Sequence, residues 1–488
     1  MASASVPVSA ADGQLHRRIG LGNVLFQSIA FMAPGGSVVF GLGLIILYAG
    51  VASPLALAVS LLAALCVAVC IGQMARHIPA AGGFFSYTSA ALGRLAGFAA
   101  GWTWAVMAFV GPTVGALLFG IVGNDFCNTY LSVDVPWWAL AAAVLALTSA
   151  ATYFGVRLST GVTIVLGVAE VTILLIVMVA LIVHAGSDNT IQVLNFNKAK
   201  SFSDFALGIV YAVAVFVGFE ASAPLAEEVR NPRRNIPLAV VGSTLLIGVF
   251  YVLAIYTAVV GWGPDKLDGY LSSPDPWREM ANKLGGWVAF FVIVAILNSL
   301  FAVTQAGFNA STRLLFAMGR SRVLPPDLAR LHPQHETPWV AIAVVSALSS
   351  AATFGFGLWR GAFNAFVFYI TVVSLSFIVL YIVACVSTTT FFARVRRAEL
   401  NWLWHGLVPL VGGATLIVVL YKSVHPMPAY PASWAVWATL GWIVAGIAVA
   451  LALGRRLPSD ELARAMELQA HDGRDEAAAP VAAPQPTT

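Results

Sequence analysis

The chain has 488 residues, of which 59% are hydrophobic and only 10% charged, with a formal net charge of +4 and a mean hydropathy of +0.85. A water-facing domain carries about 25% charged residues, so this composition excludes a cytosolic enzyme, a nucleic-acid binder and a secreted disulfide scaffold. The Lys, Arg, Asp and Glu side chains gather in short stretches between long apolar runs, the pattern of an all-α polytopic membrane protein surrounded by lipid.

Crossing the hydrocarbon core takes about 20 mostly apolar residues per helix. In chain order, twelve runs meet that need, near 22–50, 54–75, 97–122, 137–155, 158–184, 205–226, 236–262, 284–317, 338–357, 363–392, 403–421 and 432–454. The runs are continuous and do not alternate every second residue, which excludes a β-barrel. Twelve spans put both termini on one side, where nineteen of the 26 Lys and Arg residues then fall. By the positive-inside rule that side is cytoplasmic, in a cell or inner membrane. The expected organisation is a cytoplasmic segment over 1–20, a transmembrane domain over 21–456 and a disordered cytoplasmic tail over 457–488. Residues 1–20 are small and polar, and the first apolar run is too long for a cleaved signal.

Two spans carry helix-breaking residues in their interior. The first holds Met32-Ala33-Pro34-Gly35-Gly36-Ser37, in which Pro34 removes a donor and clashes with the preceding turn. The sixth holds Val217-Gly218-Phe219-Glu220, with Pro224 four residues past the acid. Unwound backbone at membrane depth is tolerated only where it lines a cavity or is buried in protein. Interruptions at corresponding positions of two halves are the best sequence pointer to a transporter site. The two lie an offset of five spans apart, an odd number, so the second copy is inverted and the breaks meet from opposite sides. One offers amide donors and the other carbonyl acceptors, a pair of ends suited to an amino acid zwitterion.

Only two acids lie well inside spans, Glu170 in the fifth and Glu220 in the sixth. An ionisable group at that depth costs roughly 2.5–3.5 kcal/mol on insertion scales. Both are candidates for proton coupling, against a purely structural hydrogen-bonding role for each. None of the five lysines follows a glycine, so there is no phosphate-binding Gly-Lys loop. The eight histidines avoid span centres, and Cys66 and Cys70 lack further ligands, so no metal, cofactor or enzymatic chemistry is expected. Trp102, Trp104, Asn298, Ser299, Thr304 and Gln305 are open between lining a pathway and packing or hydrogen bonding between helices.

The stretch from Phe216 to Pro237, with its Glu227-Glu228-Val229-Arg230-Asn231-Pro232 core, resembles the sixth-helix signature of the amino acid–polyamine–organocation transporter superfamily. Pro79-Ala80-Ala81-Gly82-Gly83 with Gly93 and Gly101-Trp102 is similar to that family's link between helices two and three. Ser311 to Arg320, followed by Leu324-Pro325 and Thr337-Pro338, is similar to its eighth helix and continuation. The resemblance implies a bacterial-type amino acid permease with a leucine-transporter-type fold. Its five-plus-five inverted repeat would occupy about 21–185 and 203–392, with two extra helices over about 403–454. It further implies a substrate carboxylate held by amides at Ala33, Pro34, Gly35, Gly36 and Ser37, with Pro34 supplying one amide fewer than usual. The amine would meet carbonyls at Val217, Gly218 and Phe219, beside Glu220, with Phe216 as a lid. Some proton-coupled members carry a Lys in the fifth helix in place of a sodium ion, and spacing from Gly161 puts Glu170 at that position.

The expected function is secondary active transport of an amino acid or related amine by alternating access, as a proton-coupled or less favourably sodium-coupled symporter. A polyamine or organocation transporter and an amino acid exchanger of the same fold are the alternatives, with a non-translocating sensor behind them.

Overall fold

The computed structural model describes residues 19–273 and 275–454. The expected segment before Ile19 and the expected tail over 457–488 lie outside the described residues. Within them the protein is helical, with an isolated parallel bridge between Ile19 and Val229 in place of any sheet.

The first apolar run forms three helices, α1 (Leu21–Met32), α2 (Pro34–Phe40) and α3 (Leu42–Ala49). Then come α4 (Ser53–His77), the short α5 (Phe84–Leu92), and α6 (Arg94–Ala105) with α7 (Met107–Phe126), which together make one long span. They are followed by α8 (Trp137–Phe154), α9 (Val156–Ala185), α10 (Phe202–Ala214) and α11 (Pro232–Trp262). Two short helices, α12 (Leu267–Ser272) and α13 (Pro276–Leu284), precede α14 (Gly286–Arg320) and α15 (Trp339–Arg360). The chain closes with α16 (Ala362–Arg394), α17 (Val408–Val424) and α18 (Ala432–Leu453).

Eleven helical stretches among the described residues are long and apolar enough to cross a membrane. The expected sixth span differs. Only Phe202–Ala214 is α-helical there, and the chain then runs as turns to Ser222 and as a 3-10 helix over Ala223–Glu228. Gly218 and Pro224 prevent the helix from continuing, the one by conformational freedom and the other by its missing amide.

Close backbone contact holds the interior together. At the crossing of α7 and α14, a Cβ on Gly307 would sit 2.8 Å from the Gly111 carbonyl carbon and 2.9 Å from Pro112 N. Lipid tails are as apolar as leucine, so helices associate through such close packing of small residues and through hydrogen bonds between helices. Gln305 Nε2 on α14 donates to Thr152 Oγ1 on α8 at 2.7 Å. Gln27 ties α1 to α14 by donating to Ala306 O at 3.0 Å and accepting from Asn309 Nδ2 at 3.1 Å. Trp102 and Trp442 stack with centroids 4.8 Å apart, and each indole donates to the other's carbonyl at 3.0 and 2.9 Å. Trp102 therefore fastens α6 to α18, and Trp104 packs edge-on to Phe84 at 5.0 Å.

One end of the bundle is clasped by three of the motif stretches. Arg320 holds Glu227 through two guanidinium nitrogens at 2.7 and 2.5 Å, and Glu227 also accepts from the Ala81 amide at 3.0 Å. Arg313 donates to Glu228 at 2.9 Å with both side chains buried. Ile19 exchanges backbone hydrogen bonds with Glu228 and Arg230 at 3.1 and 2.9 Å.

Candidate functional site

The break in the first run falls at Ala33, whose φ of 49° is left-handed. Pro34 then starts α2 at a position where no amide is needed. In a continuous helix the Gly35 amide would reach Phe31 O and the Gly36 amide Met32 O. Instead Gly35 N donates to Glu170 Oε1 at 2.7 Å and to Ser299 Oγ at 3.1 Å, while Gly36 N donates to the same hydroxyl at 3.3 Å. The released Met32 carbonyl accepts from Ser37 Oγ at 2.8 Å and from Tyr251 OH at 2.7 Å. Ala33 N turns back to Ala30 O and Ser37 N to Ala33 O, so Gly35 and Gly36 are the two amides of this stretch aimed out of the helix.

Glu170 is 1% exposed and reaches the break from α9. Asn298 and Ser299 on α14 close it in, with Asn298 Nδ2 3.4 Å from Glu170 Oε2. An unpaired carboxylate at this depth would be costly, and the surrounding donors are what make the position tenable.

The second break has the same chemistry with a different acid. Gly218, at φ 120°, directs its amide to Glu220 Oε2 and to Tyr381 OH, both at 3.3 Å. The Tyr381 hydroxyl donates to Glu220 Oε2 at 2.5 Å. Phe219 stacks on the Tyr381 ring at 5.0 Å, and Phe216 meets Tyr251 edge-on at 5.8 Å. The Ser222 amide donates to Ser28 Oγ on α1 at 3.1 Å. Val217 is half-buried, its amide 3.3 Å from Ala214 O.

The two breaks touch. A Cβ on Gly218 would lie 3.0 Å from Phe31 C and 3.1 Å from Met32 N, the residues just before the bend in α1. Phe216, Phe219, Glu170 and Glu220 are each 1% exposed, so this centre is closed. In both breaks the liberated glycine amide faces a buried carboxylate of the chain itself. Among the described residues no group of three or more His, Cys, Asp or Glu gathers to hold a metal.

Sequence reasoning left out two residues of this cluster, Tyr251 and Tyr381, and weighed Ser299 only as one of several polar residues in its span. The signal for the tyrosines was present. A tyrosine in the middle of an apolar run has a hydroxyl that must find a partner once buried, and a broken helix supplies one.

Similarity to the amino acid permease family and to transporters makes this bundle of apolar helices a membrane transporter, not an enzyme. Residues 23–455 match the amino acid permease family. The chain belongs to that family, within the amino acid–polyamine–organocation superfamily. It is 26% identical to Cationic amino acid transporter 8, vacuolar, of Arabidopsis thaliana over 63% of this chain, and spans about half (52%) of that relative's length. It is 24% identical to the Branched-chain amino acid permease BcaP of Bacillus subtilis, over 68% of this chain and 71% of the relative. An uncharacterised transporter of Mycobacterium bovis is 28% identical over 73% of this chain and 79% of its own length.

Proposed function

We propose that this protein moves an amino acid across the cell membrane by alternating access and couples the movement to protons, with Glu170 as the coupling acid. The observation that carries the reading is the Gly35 amide donating to Glu170 at 2.7 Å. A carboxylate of the chain occupies the donors that a substrate carboxylate needs. Ionised Glu170 competes with the cargo for Gly35 and Gly36. A proton on Glu170 weakens that hold and frees the amides, so proton and amino acid bind together. Glu220 and Tyr381 do the equivalent at Gly218, where the cargo's ammonium meets the carboxylate and carbonyls of the turn. Phe216 and Phe219 cover the cargo.

The proposal includes the five-plus-five inverted repeat, twelve membrane segments with α10 and the turns after it as the sixth, and the arginine-rich end in the cytoplasm. The Glu227–Arg320 and Glu228–Arg313 pairs then form the closed inner gate.

Uptake of labelled amino acids into proteoliposomes, with and without an inward proton gradient, tests the coupling. Wild type should accumulate cargo only with the gradient, while Glu170→Gln should lose accumulation and keep exchange of internal for external cargo. Accumulation driven equally well by sodium alone, or indifferent to the proton gradient, refutes it. A second reading, a cationic amino acid or amine as cargo, is favoured by the carboxylate of Glu220 beside the stacked Phe219 and Tyr381 rings. Competition between arginine, putrescine and leucine in the same assay separates the two.

A further inference from the structure

Three of the four cysteines meet in one seam of the bundle. Cys66 and Cys70 lie one turn apart on α4, and Cys385 faces them from α16. The Cys70 and Cys385 thiols share a hydrogen bond, and Cys66 is within electrostatic reach of both. Cys70 and Cys385 are buried, whereas Cys66 is half-buried. The two helices are fastened at this level, since Thr388 Oγ1 on α16 donates to Cys70 O at 3.2 Å. From the third side α17 roofs the thiols. A Cβ on Gly412 would lie 3.3 Å from Cys66 Cβ and 3.5 Å from Cys385 Sγ, and one on Gly413 would lie 3.6 Å from Cys385 Cβ.

The three helices are all apolar enough to cross a membrane, so a reagent reaches this seam through hydrocarbon. The close roof at Gly412 leaves no room for a bulky adduct such as glutathione. A small apolar oxidant can enter, and the neighbouring thiol is the group best placed to complete its reaction. The seam is also one helical turn from the second break, because Cys385 follows Tyr381 by four residues on the same face of α16. Tyr381 is the residue that holds Glu220 and the Gly218 amide. On the other side α4 packs along α11, whose Tyr251 holds the Met32 carbonyl of the first break.

We propose that Cys70 and Cys385 are a redox pair, which a lipid hydroperoxide converts to a disulfide that locks α16 to α4 and stops transport. One sulfur attacks the terminal peroxide oxygen, the O–O bond breaks, and the departing alkoxide takes the thiol proton to become a lipid alcohol. The resulting sulfenic acid is reversible and condenses with a thiol. The partner sulfur attacks the oxidised sulfur, the S–O bond breaks, and hydroxide leaves with the partner's proton as water. Two thiols, oxidised by two electrons, thus reduce one hydroperoxide. Bonded sulfurs sit about 2.05 Å apart, closer than thiols that only share a hydrogen bond, so closure draws α16 toward α4. The arrest of transport rests on the function proposed above; the linkage itself does not.

The test treats the full chain in proteoliposomes with cumene hydroperoxide, which dissolves in lipid, or with glutathione disulfide, which is charged and does not. Unreduced peptides are then mapped by mass spectrometry, and gradient-driven uptake is measured before oxidation, after it, and after dithiothreitol. Cumene hydroperoxide should give the Cys70–Cys385 linkage, raise the melting temperature and abolish uptake, and dithiothreitol should restore it. Glutathione disulfide should leave the thiols free. Cys66→Ser should form the linkage and lose uptake as wild type does, whereas Cys70→Ser should keep its uptake through the treatment; the melting temperature of each reduced variant confirms folding. No linkage, a linkage through Cys66 instead, equal linkage by glutathione disulfide, or linked protein that transports like the reduced form would each overturn the proposal. Absence of uptake in the reduced wild type would overturn the transport reading, and the peptide map would still decide the linkage.

Discussion

Replacing Gly218 by alanine perturbs the contact between the two breaks, and the structure gives its size. The backbone there has φ 120°, a conformation that costs a side-chain-bearing residue about 1–3 kcal/mol. The new Cβ would also lie 2.5 Å from Phe31 Cδ1, 3.0 Å from Phe31 C and 3.1 Å from Met32 N. The ring edge can turn aside, but the two backbone atoms cannot move without shifting α1, and overpacking of this kind costs about 1–3 kcal/mol more. Gly155 is the control, because its φ is 127° and nothing lies within 4 Å of a Cβ built there. Gly155→Ala therefore carries the backbone strain alone, and Gly218→Ala carries the strain together with the displacement of the first break. Thermal melting of the purified protein and equilibrium binding of labelled cargo are the assays. Gly218→Ala should melt below Gly155→Ala and bind about tenfold or more weakly, since each 1.4 kcal/mol in the bound state is a factor of ten. Gly155→Ala should bind as wild type. Equal melting and equal binding for the two variants would refute the reasoning that the breaks form one site through contact at Gly218.

Tyr381→Phe removes the hydroxyl that donates to Glu220 and accepts from the Gly218 amide. It should destabilise by about 1–3 kcal/mol, read as a lower melting temperature and weaker cargo binding. Arg313→Met leaves Glu228 buried without its partner, a change worth about 3–5 kcal/mol, and the double variant with Glu228→Gln should recover much of the lost melting temperature. Glu227→Gln loosens the hold of Arg320 at the clasped end. Cysteine at Ser28 should then react several-fold faster with a thiol reagent applied from the arginine-rich side, in a protein whose native cysteines are replaced. The His77 ring, 2.8 Å from Glu399, holds that carboxyl below its ordinary value of 4.5. A carboxyl lowered by folding adds stability that is present above 4.5 and is lost as pH falls through the lower folded value. The melting temperatures of wild type and Glu399→Gln should accordingly differ slightly at pH 7 and converge in acid.

The sequence by itself determined the class of molecule, because hydrocarbon imposes its rule residue by residue. Long apolar runs have to lie within the membrane, and Pro34 with Gly35 and Gly36 marks where one of them is interrupted. The cost of burying a charge singled out Glu170 and Glu220 before any neighbour was known. Tertiary structure alone decided which amide each acid meets, that Ser299 and Tyr381 complete the two sets of donors, and that the sixth run gives up its helix after Ala214. It also decided that Trp102 faces α18. The reason is geometric. A helix repeats every 3.6 residues, so sequence spacing names the residues on a face, but the residue that face meets depends on crossing angles and on glycine contacts such as Gly111 against Gly307, set by every helix at once.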